Sequence, residues 1–247
     1  MNATFAVVLA AGKGTRMKSD KAKVLHELAD RPMLSHVLSA LEELGVEETV
    51  VVVGHQADAV SEICREHAVQ TVLQSEQLGT GHAVEQARPV LEGREGLTLI
   101  LSGDVPLLRA RTLRGLEEAV RKDGAAACVL TAITEDASGY GRILRGAKRE
   151  ILGIVEEKDA SEEQRRITEY NTGTYCFKNA LLWPLIRQLD TDNAQGEFYL
   201  TDLIALLVRS GERVQGVVCE DEREVQGVNT LEDLARARSD WEEIHRG

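Results

Sequence analysis

Four short apolar runs without polar alternation dominate the first hundred residues. They are rich in Val, Ile and Leu and occupy residues 5–10 (FAVVLA), 49–54 (TVVVVG), 69–74 (VQTVLQ) and 97–102 (LTLILS). Continuous apolar strands of this kind are typically buried on both faces, as in parallel sheets. Segments with the helical period of apolar residues accompany them at 33–44, 57–67 and 82–93. The alternation predicts an α/β fold with a Rossmann-like, doubly wound, mostly parallel mixed sheet.

The second half of the chain is less regular. Its pattern predicts strands at 127–133 and 172–177, a hairpin at 138–157, and helices near 179–188 and 199–209. A charged amphipathic segment closes the chain. No internal repeat or linker interrupts it, so we expect a single domain at 1–229 followed by a C-terminal helix at 230–247.

Composition and charge narrow the classes of partner. Asp and Glu number 41 against 29 Lys and Arg, a net charge of −12, which repels nucleic-acid backbones and anionic membranes. We therefore expect no nucleic-acid and no membrane partner. The cysteines show no paired spacing, which predicts small buried hydrophobes instead of a zinc site: Cys64, Cys128, Cys176 and Cys219. With no basic leader or membrane-length apolar run, we expect a cytoplasmic protein.

A glycine-rich basic loop, LAAGKGTRM at residues 9–17, follows the first apolar run. Its spacing matches neither the Walker A loop nor the dinucleotide fingerprint, because Met17 stands where the latter has its third glycine. Gly12 and Gly14 nevertheless allow backbone N–H groups to approach an anion, and Arg16 adds charge. The loop predicts anion binding; a glycine turn with solvated basic residues is the alternative.

Two further loops are expected at the same edge of the sheet. Asp104 follows the strand at 97–102 and could be a turn former or, beside a polyphosphate, a Mg²⁺ ligand. Gln74 and Gln77 carry donors and acceptors suited to a base edge, and the glycine-rich turn after them opens a helix whose N-terminus favours an anion. Three such loops at one edge indicate a nucleotide site more strongly than any one of them does.

Several motifs of the chain resemble one family in sequence and in order. They are LAAGKGTRM, QLGTGHAV, GDVPLL, GYGRI, GIVEEKDA, EYNTGTY, AQGEFYLTD and VQGVNT. The chain resembles the sugar-nucleotide pyrophosphorylases, specifically the uridyltransferase domains of N-acetylglucosamine-1-phosphate uridyltransferases, from about residue 5 to 235. The resemblance implies that UTP and N-acetylglucosamine 1-phosphate give UDP-N-acetylglucosamine, a peptidoglycan precursor, and pyrophosphate, with Mg²⁺ as cofactor. Residues 1–229 would then be the nucleotidyltransferase domain.

The resemblance also implies roles for individual residues. Catalysis would rest on Arg16, Lys23 and Asp104, and Mg²⁺ would be bound by Asp104 and Asn229. The amino sugar would be held by Gly141, Glu156 and Asn171. The remaining substrate-binding residues, most of them around the nucleotide, would be Leu9, Ala10, Ala11, Gly12, Gly14, Thr15, Gln74, Gln77, Gly79, Thr80 and Gly103.

Two departures from the family pattern stand out. Ala22 occupies the position of a usual proline, which leaves Lys21 as a rival to Lys23 for the phosphate-binding role. The hexapeptide repeats of an acetyltransferase β-helix are missing, so we expect no acetyl transfer and no trimer contacts from such a domain, and the oligomeric state is left open. Two alternatives remain: a sister nucleotidyltransferase with another nucleotide or sugar 1-phosphate, and a non-catalytic sugar-nucleotide sensor.

Overall fold

The structure, a computed structural model, describes residues 3–245. In chain order its strands are β1 (Thr4–Ala10), β2 (Glu27–Leu28), β3 (Arg31–Pro32), β4 (Glu48–Val53), β5 (Gln70–Leu73), β6 (Leu97–Ser102), β7 (Ala127–Ile133), β8 (Arg142–Arg145), β9 (Ile151–Val155), β10 (Glu169–Lys178) and β11 (Val214–Val218). Its α-helices are α1 (Met33–Leu44), α2 (Ala57–Glu66), α3 (Thr80–Glu85), α4 (Arg88–Leu91), α5 (Ala110–Asp123), α6 (Glu162–Arg165), α7 (Asn179–Ile186), α8 (Asp202–Arg209) and α9 (Leu231–His245).

One mixed sheet organises the described residues. Its strand order is β11–β7–β10–β6–β1–β4–β5, and the β8–β9 hairpin is attached to β10. β1 pairs in parallel with β4 and β6, and β4 with β5, whereas β10 runs antiparallel to both β6 and β7. The predicted doubly wound, mostly parallel mixed sheet is confirmed.

The central strands read as continuous apolar runs because each face of the sheet covers a core. In β1, Phe5 and Val7 belong to the core under α3, α4, α7 and α8, and Ala6 and Val8 to the core under α1, α2 and α5. All four side chains are fully or almost fully buried. Burying a Val, Leu or Phe side chain contributes about 1.5–3 kcal/mol, so both faces favour apolar residues.

Two predicted elements differ from the structure. The run at 69–74 was expected to be buried on both faces; that prediction is wrong, because β5 is the last strand of the sheet and Leu73 is 57% exposed. The helix expected at 82–93 is divided into α3 and α4. Pro89, in the first turn of α4, has no N–H to bond the carbonyl four residues earlier, so α3 cannot continue through it.

The closing helix α9 packs against the segment that follows the glycine loop. Leu234 and Ala237 of α9 share a small buried cluster with Met17, Leu28 and Met33. α9 lies within the predicted segment 230–247, whose last two residues are outside the described part, and the division into domain and helix stays a prediction.

The cysteines are all buried, as expected. Among residues 3–245 no helix is both long and apolar enough to cross a membrane. The helix α5 and the strand β11 had no counterpart in the sequence prediction.

Candidate active site

A cavity of about 240 Å³ lies at the carboxyl edge of the parallel strands. Its walls come from the end of β1 with the glycine loop, the turn after β5, the start of α3 and the end of β6. Most of the residues predicted to bind the nucleotide line it together: Leu9, Ala10, Ala11, Gly12, Lys23, Gln74, Gln77, Gly79, Thr80 and Asp104. Loops distant in sequence therefore meet at the predicted edge.

The other predicted residues surround this cavity without lining it. The N–H of Gly103 donates to the carbonyl of Leu9 at 2.9 Å, which ties the end of β6 to β1. Thr15 begins a short 3-10 turn at Thr15–Met17. Arg16 and Asn229 line a neighbouring cavity of about 580 Å³.

Gly14 shapes the glycine loop by its backbone conformation. Its φ is +62°, in the left-handed region that side chains with a Cβ rarely adopt. A Cβ built on Gly14 would lie 2.7 Å from the Cβ of Lys23. The loop and the base of Lys23 can therefore approach each other only because residue 14 is glycine.

A charged cluster joins three distant segments beside the cavity. The Lys23 ammonium group forms an ion pair with Asp104, and its Nζ lies 2.9 Å from Oδ1 of Asn229. The same Oδ1 accepts a hydrogen bond of 2.9 Å from Arg16. Asp104 is only 9% exposed, so this ion pair is largely screened from water. The predicted catalytic residues and Asn229 thus form one contact network.

Asn229 is held in place by the start of α9. The Asp233 carboxylate accepts from the backbone N–H groups of Asn229 at 3.0 Å and Thr230 at 2.9 Å. The N–H of Val228 donates to the carbonyl of Asp104 at 2.9 Å. The helix start and the loop after β6 therefore position Asn229 as a unit.

The structure distinguishes Lys23 from its rival Lys21. Lys21 is about half exposed and pairs with Glu27, away from Asp104. The N–H of Ala22, which a proline would lack, donates to Oε1 of Gln56 at 2.7 Å. Ala22 has φ −54°, a value that proline also adopts. The segment therefore keeps a proline-like backbone, with Gln56 as its support.

The expected base side of the cavity is built around Gln74, which is 3% exposed. Its Nε2 donates to the carbonyl of Gly79 at 3.2 Å and lies 3.0 Å from Nδ1 of His82. Gly79 has φ +113°, and a Cβ there would lie 2.6 Å from the carbonyl oxygen of Phe198. His82 of α3 contacts the Gln74 amide and helps to orient it.

The three residues predicted for the amino sugar form a second group. The N–H of Asn171 donates to the carbonyl of Gly141 at 2.8 Å, and a Cβ on Gly141 would lie 3.5 Å from Oε2 of Glu156. Burial raises the pKa of the Glu156 carboxyl above its ordinary value. Because β10 runs antiparallel to β6, Asn171 near the start of β10 lies at the edge where β6 leads to Asp104.

The oxygens of Asp104 and Asn229 suit a divalent cation shared with phosphate. Both converge on the Lys23 ammonium group, so they already face one point of positive charge. Carboxylate and amide oxygens are hard ligands, and Mg²⁺ commonly takes only one or two carboxylates alongside phosphate and water. Within residues 3–245 no cluster of three acidic, His or Cys side chains could hold a metal. The donor set therefore fits a cation that substrate phosphates help to bind.

Sequence reasoning missed several residues of the site. Gln56 had no predicted role, because the hydrogen bond it accepts from the Ala22 N–H joins positions 34 residues apart and no local pattern indicates it. Ser102 and Glu197 line the cavity. Ser102 is the polar last residue of an apolar strand, and Glu197 lies within the AQGEFYLTD motif. Each position therefore had a sequence signal by which it could have been predicted as a site residue.

The fold and the site together define a nucleotide-binding transferase of the α/β class. The chain belongs to the family of MobA-like NTP transferase domains, whose family model matches residues 6–214. The nucleotidyltransferase class predicted from the motifs is thereby confirmed.

Curated relatives match the sequence of nearly the whole chain. It is 50% identical over 239 residues to the bifunctional protein GlmU of Brevibacillus brevis, covering 97% of this chain and 52% of that protein. The GlmU proteins of Heliobacterium modesticaldum and Enterococcus faecalis are 48% and 47% identical, with 97% and 96% of this chain and 52% of each relative covered. The chain thus spans about half the length of these relatives.

A solved structure shares the fold. The crystal structure of UDP-glucose pyrophosphorylase complexed with UDP-glucose superposes with a TM-score of 0.79, covering 99% of this chain and 100% of that chain. At 17% sequence identity the similarity establishes the fold alone.

Proposed function

We propose that this chain transfers a uridylyl group from UTP to N-acetylglucosamine 1-phosphate, giving UDP-N-acetylglucosamine and pyrophosphate. The observation that carries the proposal is the meeting of the glycine loop, the Gln74 turn and the Lys23–Asp104–Asn229 cluster at one edge of the sheet. Relatives about half identical across nearly the whole chain support it. The cytoplasmic location and the lack of nucleic-acid and membrane partners are part of the proposal.

The reaction needs positioning and charge neutralisation more than proton transfer. The second pKa of a phosphate monoester is about 6, so the attacking oxygen of the sugar phosphate is already ionised near neutrality. This oxygen forms a bond to the α-phosphorus of UTP while the bond to the oxygen leading to the β-phosphate breaks. The electron pair leaves with pyrophosphate. No general base is required, in keeping with a site of lysine, arginine and carboxylate.

The basic residues have distinct proposed tasks. Lys23, at the junction of the cavity and the Asp104–Asn229 pair, would contact the reacting phosphates and stabilise charge that develops during transfer. Arg16, on the neighbouring cavity, would hold the departing pyrophosphate. The backbone of Leu9–Gly12 and the amide of Gln74 would hold the nucleoside.

Asp104 and Asn229 are the proposed ligands of Mg²⁺. When bound, the ion would neutralise negative charge on the phosphate oxygens. Gly141, Glu156 and Asn171 would contact the amino sugar, where the two polar side chains can accept and donate hydrogen bonds to hydroxyl and amide groups.

A substrate matrix tests the proposal. The purified chain is incubated with UTP, CTP or dTTP against N-acetylglucosamine 1-phosphate and glucose 1-phosphate, and pyrophosphate release is measured with Mg²⁺ and with excess EDTA. We expect the fastest release with UTP and N-acetylglucosamine 1-phosphate, and none with EDTA. A different best pair would identify a sister nucleotidyltransferase, and binding of UDP-N-acetylglucosamine without any turnover would identify a sensor.

A further inference from the structure

Strand β10 carries a bulge next to Asn171. Its register against β7 shifts between Asn171 and Thr174, and Gly173 has φ +79°. In a regular strand, residues four apart are separated by about 13 Å, too far for a short amide side chain to span. Here Nδ2 of Asn171 lies 2.7 Å from the hydroxyl oxygen of Tyr175. The bulge therefore aims the Asn171 side chain along its own strand.

The orientation of the Asn171 amide follows from its partners. The backbone N–H of Gly173 donates to Oδ1 of Asn171 at 3.1 Å, so the oxygen must face that donor. Nδ2 then donates one hydrogen to the hydroxyl of Tyr175. An amide nitrogen carries two hydrogens, and the second remains for a ligand.

Tyr175 is a buried support for this arrangement. It is 2% exposed, and its strand pairs with β6 on one side and β7 on the other. Burial and the nearby Glu156 carboxylate raise the pKa of the Tyr175 hydroxyl, so it stays neutral.

Glu156 has an equivalent support. The hydroxyl of Thr201, 3% exposed at the start of α8, donates to Oε1 of Glu156 at 3.0 Å. Each polar side chain of the amino-sugar group is thus held by one buried hydroxyl. Gly141 joins the two halves, because its carbonyl accepts from the Asn171 N–H and a Cβ built on it would lie 3.5 Å from Oε2 of Glu156.

We propose that Tyr175 and Thr201 are positioning residues that set the specificity of this site for the sugar phosphate, acting through Asn171 and Glu156. The inference rests on the proposed function, since it takes Asn171 and Glu156 as the residues that contact the sugar. Neither hydroxyl reaches the nucleotide cavity lining, so the effect falls on one substrate.

Steady-state kinetics of Tyr175→Phe test the proposal. Losing one hydrogen bond that orients the amide raises the KM for the sugar phosphate about 3- to 10-fold, the equivalent of one net hydrogen bond. The KM for the nucleotide stays within about twofold. Thr201→Val gives the same split, and Thr201→Ser, which keeps the hydroxyl, restores the wild-type KM.

Tyr170→Phe is the matched control. Tyr170 lies on the same strand, is fully buried, and its hydroxyl contacts Glu222 and Gln226, away from Asn171. Tyr170→Phe leaves the KM for the sugar phosphate and the KM for the nucleotide unchanged. Equal rises in both KM values for Tyr175→Phe, or none, would overturn the positioning role.

The kinetics use whichever nucleotide and sugar 1-phosphate the wild type turns over fastest. A different best pair therefore refutes the proposed function while the positioning role is still tested. Thermal unfolding of each variant shows that it is folded at the assay temperature.

Discussion

Replacing Lys23 by methionine removes the ammonium group and keeps most of the apolar stem. The group contacts two oxygens, one on Asp104 and one on Asn229, and the Lys23 side chain is only 18% exposed. If it stabilises charge that develops during transfer, its loss resembles removal of one preorganised donor to a developing oxyanion, about 10²–10³ in kcat. Binding of UDP-N-acetylglucosamine, which forms no such charge, weakens less than about tenfold.

The assay separates these two quantities. Pyrophosphate release at saturating substrates gives kcat, and isothermal titration calorimetry gives the Kd for UDP-N-acetylglucosamine. Lys21→Met is the control, because it changes the net charge equally in the same segment, yet Lys21 is about half exposed and pairs with Glu27. We expect it to alter either quantity by less than about twofold.

Two results would contradict this role of Lys23. Equal losses of rate and of product affinity for Lys23→Met would make Lys23 a binding residue alone. A loss in Lys21→Met as large as in Lys23→Met would mean that the general positive field of the loop matters, and not the contact with Asp104 and Asn229.

Three further predictions follow from the geometry. Gly14→Ala lowers kcat/KM for UTP at least tenfold, because φ of residue 14 is +62° and the new Cβ meets Lys23. Gly45→Ala is the control: its φ is also positive but the space around it is open, so it costs about 1 kcal/mol of stability and no activity. Pyrophosphate release measures the activity of each variant, and thermal unfolding measures its stability. Gln56→Ala removes the acceptor of the Ala22 N–H and the donor to the Asp20 carbonyl, and it raises the KM for UTP. Adding Ala22→Pro restores part of the loss, because proline suits φ −54° and has no N–H to satisfy; a double variant no better than Gln56→Ala would contradict the role of the Ala22–Gln56 hydrogen bond. Burial raises the pKa of the Glu156 carboxyl above its ordinary value of 4.5, so its contribution to stability is fully present below that value and is lost as pH rises through the raised pKa. Glu156→Gln should flatten the pH dependence of the unfolding midpoint between pH 4 and pH 8. An unchanged profile would contradict this prediction.

Elements with a strong local period were predicted well. The helix at 33–44 matches α1 residue for residue, and the runs at 5–10 and 97–102 match β1 and β6 within a residue. Two cores, one on each face of the sheet, require the apolar pattern that these segments show. Their secondary structure can therefore be predicted without knowledge of the elements that pack against them.

Elements whose environment depends on partners distant in the chain were predicted less well. The run at 69–74 resembles a buried strand, yet β5 lies at the sheet edge because, among the described residues, only β4 pairs with it. β11 completes the other edge by pairing with β7, some ninety residues earlier in the chain. Position in a sheet is a property of the topology, and no local pattern encodes it.

The residue types in each loop of the site can be read from the sequence alone: glycines and basic residues follow β1, glutamines follow β5 and a carboxylate follows β6. Their partners depend on the tertiary structure. It joined Lys23 to Asn229 across 206 residues, turned Lys21 towards Glu27, and used a bulge in β10 to bring Asn171 to Tyr175. Loop composition follows from what each turn must bind locally. Hydrogen-bond partners follow from how strands and helices pack, and that packing depends on the whole chain.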